Sequence, residues 1–246
     1  MSLFSVIKTL KKTTKPPACT AVIAAAGSSQ RCKGEDKLFY LINEKPVLFY
    51  AVEAFQNNTL INEIIIVAQE NRFEYISELC SMHKFNKVTG IIKGGNTRTE
   101  SVLNGIYASS EKATLIAIHD GARPCVNDDT ITKAVKTASE HHACAPAIPI
   151  TSTIKKISKK TIRETIDREG LYEIQTPQVF NKDIIKVALS NVLKNSIDIT
   201  DDCMAAEIIK VPVYTIEGSR RNIKITDVDD LFLAETFLKE REEECE

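Results

Sequence analysis

The sequence predicts an α/β fold with a mainly parallel central sheet and a protruding β-arm. Short apolar runs rich in Val and Ile alternate with stretches whose apolar residues recur three and four positions apart, which is the pattern of strands and crossover helices. The strand runs are almost continuously apolar, as expected where both faces of a sheet are covered. The chain has 246 residues, 43% of them hydrophobic, which suffices for one α/β core and is short for two.

The predicted elements follow one another along the chain in regular order. Strands are expected at 20–26, 63–69, 88–93, 115–120 and 143–150. Helices are expected between them at 46–56, 71–85, 97–110 and 127–142, where polar residues stand at capping positions. The last third adds helices at 181–195 and 201–210, a strand at 211–218 and a closing helix from about Asp227.

Two segments fall outside this alternation. Residues 1–18, with Pro16 and Pro17 near their end, are expected to form a poorly ordered leader before a single domain at 19–246. This leader has no apolar run typical of a signal peptide or a membrane span. From about 151 to 177, β-prone pieces alternate with charged residues and Gly170 breaks the run, which predicts a protruding arm with a partner.

Composition excludes several classes of function. The net charge of −1 argues against general nucleic-acid binding, which needs a basic surface. The seven cysteines are scattered and include no Cys-x-x-Cys pair, which favours reduced thiols and a cytoplasmic location. His141 and His142 lack the spacing of a metal-binding pair on a helix.

Polar and glycine-rich residues follow four of the predicted strands, in the segments 25–31, 94–98, 119–124 and 149–155. In open α/β sheets ligands bind beyond the carboxyl ends of the strands, so these segments are expected to meet at one edge. Taken singly each has a simpler explanation: Gly94 and Gly95 as a turn, Arg31 and Lys37 as surface charges. Their coincidence at successive strand ends favours a polyphosphate ligand, although residues 21–40 match neither the P-loop nor the dinucleotide fingerprint.

Seven motifs together resemble the 2-C-methyl-D-erythritol 4-phosphate cytidylyltransferase family. They are AAGSSQR, GGNTRTESVLNGI, HDGARPCV, TSTIK, TIDREGLYEIQTPQVF, ITDD and EGSRRNIKIT, and they occur in order from about Thr20 to Leu238. The resemblance implies a Rossmann-like, glycosyltransferase-A-type nucleotidyltransferase fold and transfer of a cytidylyl group from CTP to methylerythritol phosphate with release of pyrophosphate. It also implies Mg²⁺, or another divalent cation, held mainly by the CTP phosphates, and a homodimer formed through the arm.

The same resemblance assigns roles to individual residues. The implied catalytic cations are Arg31, Lys37 and Lys224. The implied nucleotide-binding residues are Ala24, Ala25, Ala26, Gly27, Gly95, Asn96 and Ser101. The implied acceptor-binding residues are Asp120, Arg123, Thr153, Arg168, Thr176 and Thr200, with Thr153 and Arg168 completing the partner's site. The chain departs from the family pattern in a shortened loop before Lys37 and in Ser152, which stands where Asp is usual.

Two other functions remain open from the sequence. A ribitol 5-phosphate cytidylyltransferase would share the nucleotide half, but its relatives tend to carry Ala-Gly-Gly in the first loop, where this chain has Ala25-Ala26-Gly27. The segment TIDREGLY also favours the erythritol acceptor. A non-catalytic nucleotide-binding regulator is expected to have lost a phosphate-gripping cation, and the sequence retains all three.

Overall fold

The computed structural model describes residues 17–27 and 37–243. Its strands are β1 Cys19–Ala25, β2 Leu41–Ile42, β3 Lys45–Pro46, β4 Ile61–Ala68, β5 Val88–Lys93, β6 Leu115–Asp120, β7 Ala143–Pro149, β8 Ile154–Ser158, β9 Thr161–Ile166, β10 Tyr172–Ile174, β11 Gln178–Asn181 and β12 Tyr214–Glu217. Its α-helices are α1 Val47–Asn57, α2 Phe73–Met82, α3 Arg98–Ala108, α4 Asp128–His141, α5 Lys182–Lys194, α6 Asp202–Ile208 and α7 Val228–Glu243. These elements confirm the predicted α/β class.

Eight strands form the central sheet, in the order β5-β4-β1-β6-β11-β7 with β10 and β12 beside β7. Strand β1 is parallel to β4 and β6, and β4 is parallel to β5. The carboxyl ends of these four strands therefore lie at one edge, as the sequence predicts. Strand β11 is antiparallel to both β6 and β7. Ala147 pairs with Ile174 of β10 and with Glu217 of β12, so β10 and β12 lie on opposite sides of β7.

Alternate residues of the buried strands pack into two hydrophobic clusters, one on each face of the sheet. Ile64 and Ile66 of β4 face the cluster covered by α1, α2, α4 and α7. Ile65 and Val67 face the opposite cluster, which α3, α5 and α6 cover. Helix α3 lies close to the sheet, because a Cβ at Gly105 would come within 2.6 Å of Val22 Cγ1. This close packing fixes where α3 begins relative to the strand ends.

The structure differs from the prediction mainly at element boundaries and short strands. Strand β11 was not predicted, because it is only four residues long and directly follows Pro177. The predicted helix 71–85 is a 3₁₀ turn at Glu70–Arg72 followed by α2, and the chain leaves the helix through Lys84 at φ 53°. The short β2–β3 hairpin was also missed.

The predicted arm is a separate antiparallel hairpin made of β8 and β9. It is shorter than the predicted range 151–177, because the chain rejoins the central sheet at Tyr172 of β10. Most of the predicted leader lies outside the described residues. Its last residue, Ala18, accepts backbone hydrogen bonds from Thr114 at 2.8 Å and Leu115 at 3.1 Å, which ties the start of β1 to β6.

Candidate active site

A cavity of about 400 Å³ opens at the carboxyl ends of β1, β5 and β6. Three basic side chains, one carboxylate and several small residues surround it. Its lining residues are Ala24, Ala26, Gly27, Lys37, Leu38, Gly95, Asn96, Thr97, Arg98, Ser101, Asp120, Ala122 and Lys224. The volume lies within the range of small-molecule and cofactor sites in proteins.

One wall of the cavity is the turn between β5 and α3. A Cβ at Gly94 would come within 2.4 Å of Ala26 Cβ, so only glycine lets the ends of β5 and β1 approach this closely. The Ser101 hydroxyl accepts a hydrogen bond from the Gly95 N–H at 3.0 Å and donates one to the Thr97 carbonyl at 2.8 Å. The backbone of this wall is thus held rigid by the first turn of α3.

Two side chains at the start of α3 accept hydrogen bonds from backbone N–H groups. The Thr97 side chain accepts from the Glu100 N–H at 3.1 Å, and the Glu100 carboxylate accepts from the Asn96 N–H at 2.6 Å. This reciprocal arrangement resembles a capping box and satisfies backbone donors that would otherwise lack partners. It places Asn96 and Arg98 at the cavity mouth with a defined backbone.

Asp120 lies at the centre of the charged side of the cavity. Lys224 Nζ is 2.7 Å from Asp120 Oδ2, and Arg98 Nη2 is 3.3 Å from Asp120 Oδ1. Burial alone would raise the pKa of the Asp120 carboxyl, but the attractions of Arg98 and Lys224 outweigh burial and hold this pKa well below its usual range. Asp120 is therefore ionised at neutral pH.

Arg98 makes a second ion pair behind the cavity. Its Nη2 atom is 2.8 Å from Oδ2 of Asp202, the first residue of α6, whose side chain is fully buried. Burial raises the pKa of the Asp202 carboxyl, and the nearby Arg98 charge counteracts part of that rise. Arg98 thus connects a carboxylate that faces the cavity with one that does not.

Lys37 reaches the cavity from the other side of β1. Its Nζ donates a hydrogen bond of 2.6 Å to the Ile225 carbonyl, and the Ile225 N–H donates to the Ala122 carbonyl at 2.9 Å. The segment that carries Lys224 is therefore held between Lys37 and the residues that follow β6. Lys37 and Lys224, two of the cations expected from the sequence, are thus linked through Ile225.

A buried network supports the end of β6. The Asp120 N–H donates to the Thr176 hydroxyl at 3.1 Å, and that hydroxyl lies 3.0 Å from His119 Nδ1. His119 Nε2 is 3.1 Å from the Arg123 carbonyl, which can only accept, so Nε2 carries the proton. Burial lowers the pKa of His119 to about 4, which keeps the ring neutral.

The predicted site residues fall into three groups. Nine of them line the cavity, namely Ala24, Ala26, Gly27, Lys37, Gly95, Asn96, Ser101, Asp120 and Lys224. Arg31 lies outside the described residues. The others do not line the cavity of their own chain: Ala25, Arg123 and Thr176 are buried, and Thr153, Arg168 and Thr200 are exposed.

Arg123 and Thr176 differ most from their expected place in the site. The Arg123 side chain is buried, and its Nη1 donates to the Asn222 carbonyl at 2.6 Å. Thr176 is 4% exposed, and its hydroxyl is used by His119 and Asp120. In this structure both residues support the backbone around Asp120 and Lys224 instead of facing the cavity.

Sequence reasoning missed Asp202 and the ion pairs of Arg98. Arg98 ends the segment 94–98 that was expected at the ligand-binding edge, but the pattern does not give the direction of a side chain in the first turn of a helix. Asp202 follows Asp201, whose side chain caps α6 by accepting from the Met204 N–H at 3.0 Å. Two adjacent acidic residues at a helix start look like capping, which conceals that the second one is buried.

The donor set of the described cavity supplies few of the oxygen ligands that Mg²⁺ requires. In the described ranges no group of three or more His, Cys, Asp or Glu side chains could enclose a metal ion. Asp120 is the only carboxylate among the described lining residues, and both of its oxygens face cations. Such a set fits an ion that is coordinated largely by phosphate and water, which is how Mg²⁺ is commonly bound with nucleotides.

Fold and site together define a class of protein. An open, largely parallel sheet whose strand ends surround a cationic cavity with a glycine-rich wall is typical of α/β proteins that bind nucleotides. The described helices include none that is long and apolar enough to cross a bilayer.

Comparisons with known proteins identify the family. The model of the 2-C-methyl-D-erythritol 4-phosphate cytidylyltransferase family matches residues 19–240. The enzyme of that name from Clostridium acetobutylicum is 43% identical over 222 residues, covering 89% of this chain and 96% of that protein. The one from Dehalococcoides mccartyi strain CBDB1 is 40% identical over 220 residues, covering 89% and 95%. The chain therefore belongs to the 2-C-methyl-D-erythritol 4-phosphate cytidylyltransferase family.

Solved structures agree with this assignment. The 4-diphosphocytidyl-2C-methyl-D-erythritol synthase of Anaerococcus prevotii is 26% identical, with a TM-score of 0.81 over 91% of this chain and 97% of that one. The Francisella tularensis 2-C-methyl-D-erythritol 4-phosphate cytidylyltransferase is 27% identical, with a TM-score of 0.75 over 89% and 99%. The nucleotidyltransferase fold predicted from the motifs is confirmed.

Proposed function

We propose that this chain transfers the cytidylyl group of CTP to 2-C-methyl-D-erythritol 4-phosphate and releases pyrophosphate, and that the described cavity is the site of this reaction. The observation that carries the proposal is the meeting of Lys37, Arg98 and Lys224 around one cavity at the strand ends. Three cations against Asp120 in the cavity and the buried Asp202 behind it still leave an excess of positive charge, which suits a polyphosphate. Family membership supplies the identity of the two substrates.

The turn between β5 and α3 is proposed to hold the nucleoside. Gly95, Asn96 and Ser101 line the cavity beside the residues of β1 and its end, from Ala24 to Gly27. Backbone groups of such a rigid wall offer hydrogen bonds at fixed positions, which favours one base over another. Because the Ser101 proton is donated to the Thr97 carbonyl, we assign Ser101 a role as acceptor and as support for Gly95.

The charged side of the cavity is proposed to hold the acceptor and the reacting phosphates. Asp120 is ionised and 11% exposed, so its carboxylate can accept a hydrogen bond from an acceptor hydroxyl. Lys224, which is 41% exposed, can reach a phosphate from the same side. Arg123 and Thr176 contribute by holding the backbone on which Asp120 and Lys224 stand.

The chemistry requires charge neutralisation more than proton transfer. The acceptor phosphate is already an anionic nucleophile at neutral pH, so attack on the α-phosphorus needs alignment and not a strong base. Lys224, Lys37 and Arg31 are proposed to offset the repulsion between the two anions and to stabilise charge as pyrophosphate leaves. Removing one such cation from a protected site costs about 3 kcal/mol, or roughly a hundredfold in rate.

Mg²⁺, or another divalent cation, is proposed to enter with CTP and to be held mainly by its phosphates. When bound, such an ion neutralises part of the triphosphate charge and of the departing pyrophosphate. Asp120 is the one described lining residue with an oxygen ligand of the kind Mg²⁺ prefers, and its present partners are Arg98 and Lys224.

A homodimer through the β8–β9 arm is proposed for the active protein. Ile157 and Ile162 are register partners on the two arm strands and are 63% and 61% exposed, which forms an apolar patch suited to a second copy. Thr153 and Arg168 flank the arm, are exposed, and do not line the cavity of their own chain. This placement supports their assignment to the partner's site.

The cytoplasm is the proposed location. Five described cysteines, which are Cys19, Cys80, Cys125, Cys144 and Cys203, are free thiols. Free thiols accord with a reducing compartment.

Pyrophosphate release tests the proposed function directly. The protein is incubated with CTP, Mg²⁺ and either methylerythritol phosphate or ribitol 5-phosphate, with the Lys224→Ala variant as the matched control. Release that depends on methylerythritol phosphate supports the proposal, whereas release with ribitol 5-phosphate alone would reassign the acceptor. Binding of CTP without release on either acceptor would instead indicate a non-catalytic regulator.

A further inference from the structure

We propose that Arg98 is a positioning residue for Asp120 and that Asp202 is the buried counter-charge that fixes Arg98 in this role. The inference rests on the proposed function, in which Asp120 binds the acceptor. It assigns a task to two residues that are not among the proposed acceptor contacts: Arg98, which lines the cavity, and Asp202, which is buried behind it. The three side chains come from different elements: Asp120 ends β6, Arg98 begins α3 and Asp202 begins α6.

The geometry places one guanidinium between two carboxylates. Arg98 Nη2 is 2.8 Å from Asp202 Oδ2 and 3.3 Å from Asp120 Oδ1, and Arg98 Nε is 3.4 Å from the same Asp120 oxygen. The Asp202 contact is the shorter one, and it lies on the side away from the cavity. Asp202 therefore anchors the guanidinium, and the guanidinium in turn restrains Asp120.

Asp202 is itself held rigidly on the sheet. Gln178 of β11 accepts hydrogen bonds from the Asp202 N–H at 3.0 Å and the Cys203 N–H at 3.1 Å. The Gln178 amide nitrogen also donates to the Asp201 carboxylate at 2.8 Å. Because Gln178 pairs with Ile118 of β6, strand β6 fixes the positions of both Asp202 and Asp120.

The arrangement matters because the two Asp120 oxygens have different partners. Lys224 faces Oδ2 and is proposed to contact a phosphate, so a bound phosphate competes with Asp120 for this ammonium. Arg98 faces Oδ1 and remains tied to Asp202, so Asp120 keeps one fixed cation while Lys224 serves the phosphate. A planar guanidinium can contact two carboxylates at once in a way that an ammonium cannot reproduce.

Charge balance explains why the anchor is a carboxylate. Among the described residues, Arg98 is the only ion-pair partner of Asp202, whose side chain is fully buried. Removing one member of a buried pair leaves an uncompensated charge and is strongly destabilising, whereas removing both members together is much milder. The two single variants and the double variant thus separate the effect on folding from the effect on the acceptor.

The test uses Arg98→Gln, Asp202→Asn and the double variant, each measured for kcat, for KM toward methylerythritol phosphate and CTP separately, and for thermal unfolding. Asp129→Asn is the matched control, because it removes an exposed carboxylate from the first turn of another helix, α4, which does not line the cavity. We expect Arg98→Gln to raise KM for methylerythritol phosphate roughly tenfold, with KM for CTP changed by less than about threefold. Asp202→Asn should also raise KM for methylerythritol phosphate, but by a smaller factor.

The double variant decides the mechanism. If Asp202 acts only through Arg98, the double variant has the KM values of Arg98→Gln and a higher unfolding midpoint than that single variant, because no lone buried charge is left. Should Arg98→Gln fail to fold, the double variant still reports on Asp120. Kinetics more impaired in the double variant than in Arg98→Gln would show that Asp202 acts independently.

Two further outcomes would overturn the inference. An equal rise in KM for CTP would make Arg98 a direct nucleotide contact, and wild-type kinetics in a folded double variant would remove both residues from the site. A wild-type chain without activity on methylerythritol phosphate overturns the proposed function itself. An active wild type whose variants keep their KM values overturns the inference alone.

Discussion

Lys224 Nζ lies 2.7 Å from Asp120 Oδ2, so a cation expected to serve the phosphates is paired with a carboxylate expected to serve the acceptor. The pair compensates the charge of the largely buried Asp120 with that of the more exposed Lys224. It also means that each residue constrains the other, since a phosphate that attracts Lys224 weakens its hold on Asp120. Substitutions at either position are therefore expected to affect catalysis more than folding.

Lys224→Ala is expected to lower kcat about a hundredfold, because one cation is lost beside the reacting phosphates. Folding should be little changed, since the Lys224 side chain is 41% exposed. Pyrophosphate release under saturating substrates measures the effect. The control is Lys133→Ala, which breaks an exposed pair with Asp129 on α4 and should keep normal turnover.

Arg31→Ala and Lys37→Ala are each expected to reduce kcat on the order of a hundredfold, an effect far larger than the one on the unfolding midpoint. The motif carries the expectation for Arg31, whereas Lys37 also lines the cavity. Steady-state kinetics and thermal unfolding are measured on the same samples. Near-normal turnover in either variant would make that residue a surface charge.

CTP is expected to be preferred over ATP and GTP by roughly a hundredfold in kcat/KM, because the wall leaves little room for a purine. The wall is rigid where Gly94 meets Ala26, and the Ser101 side chain fixes Gly95. Each nucleotide is supplied in turn with methylerythritol phosphate, and pyrophosphate release is compared. Equal rates with ATP would contradict this account of the wall.

Arg168→Ala is expected to raise KM for methylerythritol phosphate roughly tenfold and to leave CTP binding nearly intact. The reason is the proposed reach of Arg168 into the partner's site, where its planar fork suits a phosphate. Arg168 is exposed and contacts the Thr151 carbonyl within its own chain. Kinetics with each substrate varied separately, together with the solution mass, make the measurement.

Mixed dimers sharpen this prediction. Arg168→Ala subunits combined with Arg31→Ala subunits should regain one site in which both residues are wild type, so part of the activity returns. A fully active monomer, or no recovery in confirmed mixed dimers, would show that each chain builds its site alone.

The free energy of unfolding is expected to fall as the pH drops from about 6.5 towards 4, owing to His119. Burial lowers the pKa of His119 from 6.5 to about 4 in the folded protein. Between these two pH values the unfolded chain therefore binds a proton that the folded chain does not bind. The stability that neutral His119 contributes is present above pH 6.5, and it amounts to about 3 kcal/mol.

Urea unfolding at several pH values measures this dependence. The slope between pH 4 and 6.5 should be reduced in His119→Gln and retained in His141→Gln, which alters an exposed histidine on α4. An unchanged slope in His119→Gln would show that other groups cause the loss of stability.

The parallel half of the sheet was predictable from residue patterns, because β1, β4 and β6 are largely apolar runs that are buried in the sheet and β5 is β-prone. In the antiparallel half β7 was predicted but β11 was not, since β11 is only four residues long, directly follows Pro177 and owes its place to β6 and β7. Pairing between distant segments decides such a strand, and single-sequence patterns do not contain it.

The site was predictable where chemistry follows directly from position. Strand ends identified Gly95, Asp120 and their neighbours, and the motifs added Lys37 and Lys224, all of which line the cavity. Burial was the property that the pattern could not supply, since it depends on which helix covers which side chain. For this reason the burial of Thr176 was not foreseen, and Asp202 went unnoticed.

The hydrogen bond from Lys37 to the Ile225 carbonyl joins residues 188 positions apart. At about 5 to 20 residues per second, a ribosome needs roughly 10 to 40 s to synthesise the chain between them. Throughout that interval Lys37 has been synthesised but the segment that carries Lys224 has not. A nascent chain therefore has no complete site with which to consume CTP, and catalytic competence arises only near the end of translation.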